Sequence, residues 1–419
     1  MMTRKSELNL WKTTFFKRLE SLTFGSLLIK DEIGREFIFG AGSPEIRLVV
    51  SQSKFYRKVV IGGSLGAGES YMDGDWHTDN LVDLVRLFIR NFESLDRIDG
   101  VSTILIAFLN KVAHLAKRNN KLGSKRNISD HYDLSNEFFE IFLDSRMMYS
   151  SAVYENKNQT LDEASLSKMD RLCRKLQLSP EDHLLEIGSG WGGFAVYAAK
   201  AFGCKVTTTT ISEAQYQAAK SLVIQSDLVD KVEVLKCDYR DLIGSYDKLV
   251  SIEMVEAVGH QYLPKYFEMM SRLVKPNGLV VIQAITIEDQ RYRQALRSVD
   301  FIKKHIFPGS FIPCISELVS VSAKKTDTVL ISLEDIGIDY AQTLCAWREK
   351  LVENRKQVLA LGFNESFMRK WIFYLAYCEG GFRERRISDV QLVFAKPAYR
   401  GRTWRKDLTV AKGLEESEG

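Results

Sequence analysis

The 419-residue chain is poor in proline, cysteine and histidine, with seven, six and six residues respectively. No low-complexity tract stands out before the tail, so an ordinary folded chain is expected. The cysteines, at 173, 204, 237, 314, 345 and 378, are scattered and form no CxxC pair. That argues against a disulfide framework and a structural zinc; reduced thiols and no metal site are expected. No apolar run reaches the roughly 18–20 residues needed to cross a bilayer. The first residues, MMTRKSELNLWKTTFFKRLESL, lack the apolar core and cleavage site of a secretory signal. A cytoplasmic protein is expected. Excess charge is also scarce: the net charge is +4. This suits peripheral contact with an anionic membrane and is too weak to argue for nucleic acid.

Hydrophobic residues make up 45% and charged residues 27% of the chain, as in soluble globular proteins. The length suggests two or three domains. Leu8, Trp11, Phe15, Phe16 and Leu19 recur at near-helical spacing and predict an amphipathic helix. It can pack on its own domain or dock at a membrane interface. From Phe37 to Ile61 come strand-like runs, IRLVVSQ and KVVIGG; then GAGESYMDGDW reads as a turn-rich loop and NLVDLVRLFIRNFESL as a helix. A small α+β domain over 1–100 follows, then a helix and linker over 101–128. Over 129–400, apolar β-type runs alternate with helical segments, as in HLLEIGS then FAVYAAKAF. That pattern predicts an α/β domain, a mostly parallel sheet with helices on both faces. Helices are expected as an insertion near 288–330, a terminal strand at 388–396, and a basic then acidic tail at 401–419.

The sharpest local signal is LLEIGSGWGG, from Leu184 through Glu186, Gly188, Ser189, Gly190, Trp191 and Gly192 to Gly193. A strand enters a glycine-rich turn and then a helix. Glycines there let the backbone turn sharply and approach a ligand, and in open parallel sheets ligands bind at the strands' carboxyl ends. The spacing also satisfies GxGxxG, a dinucleotide pattern. A dinucleotide fold wants an acidic residue at the tip of the second strand. That tip is TTTTIS, with no carboxylate before Glu213, whereas Glu186 precedes the first glycine. Acid-x-Gly-x-Gly-x-Gly favours S-adenosylmethionine over NAD.

Several further motifs follow in order: DHYDLSN at 130–136, MYSSAVY at 148–154, TISEAQ at 210–215, EMVEAVG at 253–259, Asp339-Tyr340 before Trp347, and YCEGGF at 377–382. Together with the glycine loop they resemble the cyclopropane fatty acid synthases and mycolic acid cyclopropane synthases, over nearly the whole chain. GAGESYMDGDW resembles the N-terminal domain of the bacterial phospholipid enzymes. The resemblance implies a Rossmann-like class I methyltransferase with a seven-stranded sheet. It also implies cofactor contacts from Tyr149, Ser150, Leu184–Gly192, Thr210, Ile211, Gln215, Tyr239 and Arg240. Gln215 suits ribose hydroxyls and Tyr239 suits adenine, although either could instead be surface or core.

The implied reaction methylates the cis double bond of a phospholipid acyl chain to give a cyclopropane; loss of a different proton would give a methyl or methylene branch. A catalytically silent lipid-binding protein on this fold is the rival from another class. Homodimerisation is open. In the family a bound bicarbonate ion is the base. Its holders here would be Glu256, Gln283, Tyr340 and the backbone at Ser151 and Ile285. Ser151 stands where Cys is usual, Ala257 where His is common and Gln283 where His is usual. Cys378 matches a cysteine long proposed as catalytic, but the reaction needs no covalent enzyme intermediate. A buried small hydrophobe is the plain reading of it. Glu253, Glu256 and Glu379 are the carboxylates to separate by experiment. Lys303-Lys304-His305 could meet lipid head groups or be a solvated face.

Overall fold

The computed structural model describes residues 4–96 and 135–404. The expected linker, most of the DHYDLSN segment and most of the tail lie outside the described residues. The N-terminal part opens with the helix Arg4–Leu19, followed by β1 (Gly25–Lys30), β2 (Glu36–Ala41) and β3 (Glu45–Val50). The helix Lys54–Met72, β4 (Trp76–Thr78) and the helices Leu81–Arg90 and Phe92–Asp96 complete it. The four strands form one sheet in the order β2-β1-β3-β4. The first helix turns its apolar stripe inward: Phe15 and Leu19 are buried. The Phe15 ring meets Phe55 edge-on at 5.2 Å, and Phe16 lies against Phe37 at 4.7 Å.

The strand expected at KVVIGG and the loop expected at GAGESYM are instead one helix, kinked at Gly63 with φ 53°. Val and Ile raise strand propensity, but Phe55, Tyr56 and Val60 bury one helical face, and packing overrides propensity. Gly68 serves close approach rather than a turn. A β-carbon there would run into the rings of Phe301 and Phe373.

After the helices Asn136–Glu140 and Leu161–Leu176 begins a seven-stranded sheet. A capping box between Thr160 and Glu163 starts the second of these helices. The strands are β5 (His183–Ile187), β6 (Lys205–Thr210), β7 (Val232–Lys236), β8 (Tyr246–Ile252), β9 (Val274–Ile287), β10 (Val329–Asp335) and β11 (Ile387–Ala395). Their order is β10-β11-β9-β8-β5-β6-β7. β5 pairs in parallel with both β6 and β8, and β11 runs antiparallel to both neighbours. The connection direction reverses between β5 and β8, which opens a crevice at the carboxyl ends of those strands. Helices Gly193–Phe202, Glu213–Gln225 and Leu263–Leu273 join the parallel strands. Short helices at Asp289–Ala295, Phe301–His305 and Ile315–Lys325 precede β10, and Gly337–Glu353, Arg355–Ala360 and Glu365–Arg383 precede β11. The fold is the expected α/β arrangement. One apolar core runs without a break from Phe15, Phe55 and Leu87 to Trp347 and Trp371, so the N-terminal sheet and the last long helices are packed together.

Candidate active site

The glycine loop follows β5. Gly188, Gly190 and Gly192 have φ of 99°, 49° and 92°, a region that side chains with a β-carbon disfavour. The Gly188 and Ser189 N–H groups donate to the Thr209 carbonyl at 3.0 and 2.9 Å, which ties the loop to β6. The loop opens on a cavity of about 480 Å³, within the usual range for a small-molecule site.

At the loop end the walls are polar. Glu186, at the end of β5, accepts from the Thr208 hydroxyl at 2.6 Å. Burial pushes its carboxyl up to about 8, against the pull of Thr208 and Lys168. Thr210 donates to Gln215 Oε1 at 2.9 Å, and Ile211 lines the wall beside them. Arg240 is held by both oxygens of Asp238, at 2.8 and 2.6 Å, which leaves the Tyr239 ring beside the cavity. Tyr149 bonds the Tyr374 hydroxyl at 3.1 Å, the Trp191 indole donates to Asn136 at 2.8 Å, and Lys168 donates to the Ser150 hydroxyl at 2.8 Å. Three of the expected cofactor residues, Leu184, Leu185 and Gly192, do not reach the cavity. Leu184 points into the core because it sits two positions before Glu186, on the same face of β5 and away from the strand end. Gly192 starts the next helix, where a β-carbon would meet Ala219 at 3.0 Å.

Away from the loop the lining is mostly apolar, with Phe307, Ile302, Leu344, Tyr377 and Phe382 and, from the N-terminal part, Ile89 and Phe92, and it also holds Arg291, Asp300, Lys303 and Arg386. Cys378 lies here too, and burial pushes its thiol far up, so it stays protonated. It is a packing residue with no activated sulfur.

Three of the five residues expected to hold bicarbonate, Ser151, Gln283 and Tyr340, are brought together, but on the carboxyl of Glu253. The Ser151 N–H donates to Glu253 Oε1 at 2.7 Å and Gln283 Nε2 donates to the same oxygen at 2.8 Å. Tyr340 donates to Glu253 Oε2 at 2.7 Å. Glu253, Glu256, Ile285 and Tyr340 line the cavity, whereas Ser151 and Gln283 do not. Glu256 does not join them: its carboxylate takes the Ile285 N–H. Burial and then the Glu253 charge push Glu256 up to about 8. The sequence named Glu253 without placing it, and it missed Lys168, Asp389 and Gln391. The last two were detectable as polar residues alternating through an otherwise apolar stretch, DVQLVFA.

Other candidates fall away. Glu379 is buried between Arg348 and Arg383, at 2.9 and 2.8 Å, outside the cavity. Lys303 turns inward to the Ala295 and Ser298 carbonyls, while Lys304 and His305 both pair with Glu69, so all three are engaged within the protein. His260 bonds the Tyr292 hydroxyl at 2.8 Å. An open depression of about 890 Å³ around Ser271, Asp327 and Lys396 contains none of the candidate residues.

The mycolic acid cyclopropane synthetase family model matches residues 119–392. The chain is 34% identical to a tuberculostearic acid methyltransferase of Mycobacterium tuberculosis, over 80% of this chain and 79% of that protein. It is 33% identical to the cyclopropane-fatty-acyl-phospholipid synthase of Escherichia coli K12, over 87% and 91%. Among solved structures it resembles mycolic acid cyclopropane synthase CmaA1 complexed with S-adenosylhomocysteine and CTAB. That match has a TM-score of 0.61 and 29% identity, and covers 65% of this chain and 98% of that one. With the glycine loop and Glu186 on one wall of a single cavity, these matches place the chain in the mycolic acid cyclopropane synthetase family, as an S-adenosylmethionine-dependent methyltransferase.

Proposed function

We propose that this enzyme transfers the methyl carbon of S-adenosylmethionine to the cis double bond of an unsaturated phospholipid acyl chain, giving a cyclopropane. The carrying observation is one cavity with a polar cofactor end and an apolar, ring-lined end. Bound there, S-adenosylmethionine supplies an electrophilic methyl carbon on a sulfonium. Glu186 and Gln215 would take the ribose hydroxyls, and Tyr239 would lie along the adenine. Tyr149, Phe307 and Tyr374 present rings near the reacting end, and ring faces tolerate the positive charge that a methylated alkene acquires. Leu344, Tyr377 and Phe382 add apolar surface to the same wall.

Bicarbonate, the base that the family resemblance implies, does not fit these residues. Three of its expected holders already end on a carboxylate of this chain. A methyl- or methylene-branched product is the second reading, favoured by the 34% identity to the tuberculostearic acid methyltransferase.

The test uses purified protein, S-adenosylmethionine labelled in the methyl group, and anionic vesicles of a monounsaturated phospholipid. The lipid should gain one CH2 and show high-field cyclopropane proton resonances. A product that takes up hydrogen under mild catalysis would be the methylene branch. Transfer should weaken as salt rises, since surface attraction is screened over about 10 Å at 0.1 M. Transfer only to a soluble acyl carrier would refute the membrane substrate.

Glu186 gives a prediction for pH. Its folded carboxyl titrates near 8, against an ordinary 4.5, so the native state holds a proton that the unfolded chain has released. Stability from this group is therefore present at low pH and lost as pH rises from about 4.5 through 8. Thermal melts of wild type and Glu186→Gln should diverge over that window, with wild type falling relative to the variant. Parallel curves would refute this assignment. Binding at neutral pH should release a proton, visible as a buffer-dependent enthalpy.

A further inference from the structure

We propose that the carboxylate of Glu253 is the base of the reaction, built into the chain in the place where the family resemblance puts a free bicarbonate. This rests on the lipid-transferase reading above.

The position is unusual for its residue type. Glu253 follows β8, at the carboxyl edge of the sheet, with φ 47°. Glycine adopts that conformation freely and glutamate at a cost of about 1 kcal/mol or more, and such strain clusters at functional sites. Its N–H is fixed by the Gln283 carbonyl at 2.8 Å, and its side chain reaches the cavity wall.

The donors are aimed by a chain of hydrogen bonds with only one possible polarity. Lys175 Nζ, buried, can only donate, and it donates to Gln391 Oε1 at 2.6 Å. The Gln391 amide nitrogen must then donate onward, and meets Gln283 Oε1 at 3.0 Å. That leaves Gln283 Nε2 facing Glu253 Oε1 as a donor. Gln283 and Gln391 are direct partners across β9 and β11, both fully buried. A histidine at 283 could reverse roles by changing tautomer; this glutamine cannot. Tyr340 donates to the other oxygen, and burial keeps its hydroxyl protonated. The site therefore aims the Ser151 N–H, the Gln283 amide and the Tyr340 hydroxyl at one carboxyl group, and that group is part of the protein.

Neighbouring carboxyls do not compete for this role. Glu256 is pushed up to about 8 by burial and by Glu253, and has one buried oxygen with no partner among the described residues, which favours its protonated form. Asp389 is pushed well above the carboxylate range, by burial and then by Glu253.

The step balances without a further reagent. The alkene π pair forms the bond to the sulfonium methyl carbon, and the sulfur–carbon pair returns to sulfur. The neighbouring alkene carbon is left electron-deficient. Glu253 takes a proton from the transferred carbon, and the freed C–H pair closes the three-membered ring. Removal from the flanking CH2 would instead leave a double bond. The proton passes to water when the product leaves.

The experiment measures methyl transfer in carbon-dioxide-free buffer and again with added bicarbonate, alongside [13C]bicarbonate binding by NMR line broadening. Wild type should be equally active in both and bind no bicarbonate. Glu253→Gln should lose about 10²–10⁴-fold in rate, with S-adenosylhomocysteine affinity retained. Glu253→Gly suits the backbone conformation and should fold; it should bind bicarbonate and recover activity with it. Wild-type activity that requires bicarbonate, or Glu253→Gln within threefold of wild type, would overturn the proposal. No rescue of a folded Glu253→Gly by bicarbonate would count against it as well. No transfer by wild type in either buffer would overturn the lipid-transferase reading, and this proposal with it.

Discussion

Gly190→Val should bind S-adenosylhomocysteine at least about 10²-fold more weakly than wild type, equivalent to ~2.7 kcal/mol, while remaining folded. A β-carbon at Gly190 meets no protein atom within 4 Å. It would project into the cavity that the loop lines. The empty protein therefore tolerates valine at the cost of its φ of 49°, on the order of 1–2 kcal/mol. The cofactor does not tolerate it, because its approach is occupied. Gly192→Val is the control with the opposite signature. There a β-carbon presses on Ala219 at 3.0 Å, inside the packing between helices, so stability should fall first. Calorimetry for binding and thermal melts for folding separate the two. Unchanged affinity in Gly190→Val would remove this loop from the cofactor site.

Trp371→Ala should destabilise the protein by about 3–5 kcal/mol, the usual range for deleting a buried indole. The ring is 1% exposed and packs on Phe138 at 4.8 Å, Tyr374 at 5.5 Å and Phe142 at 5.7 Å. Those rings are packed on one another, with Phe138 against Phe142 at 5.4 Å, so the space is not easily refilled. The loss should extend to the site. Phe138 and Phe139 lie on the short helix whose Asn136 holds the Trp191 indole, and Phe139 also meets Tyr149 at 5.3 Å. Urea melts should show the lower midpoint with an unchanged slope, and S-adenosylhomocysteine affinity should fall with it. Trp371→Phe should keep more than half of the lost stability. A melt within about 1 kcal/mol of wild type would mean that this cluster relaxes around the gap.

The catalytic fold was legible because its signals are local. HLLEIGS, KVTTTT and KLVSI are short apolar runs between helical patterns, and each became a parallel strand. The glycine loop was legible for the same reason: its residues are consecutive. The N-terminal helix Lys54–Met72 was misread because its Val-Val-Ile run carries strand propensity, while the residues packed on that helix lie elsewhere in the chain, Phe15 against Phe55 and Phe301 and Phe373 at Gly68. The reacting centre was half legible. Ser151, Gln283 and Tyr340 were picked out together, and they do converge. What they converge on was hidden. Glu253 and Glu256 are three positions apart on one turn, and only the left-handed backbone at Glu253 decides which one meets those donors. Sequence carries no sign of that torsion. Asp389 and Gln391 escaped because their meaning depends on which strand lies opposite.

The helix Glu365–Arg383 belongs to two neighbourhoods at once. One side carries Tyr374, Tyr377 and Cys378 into the cavity. Another has no space for a β-carbon at Gly380, where Val85 presses in, and just past its end Glu384 pairs with Arg86 and Arg90 at 2.7 Å. Chemistry and folding therefore have different boundaries in this chain. A fragment trimmed to the seven-stranded sheet would keep the glycine loop and lose the surface that holds the far wall in place. The same division separates two levers for redesign. Ile89 and Phe92 shape the apolar end from a stretch of chain that contributes nothing to the glycine loop. Preference among acyl chains can be altered there while methyl-donor binding is left alone.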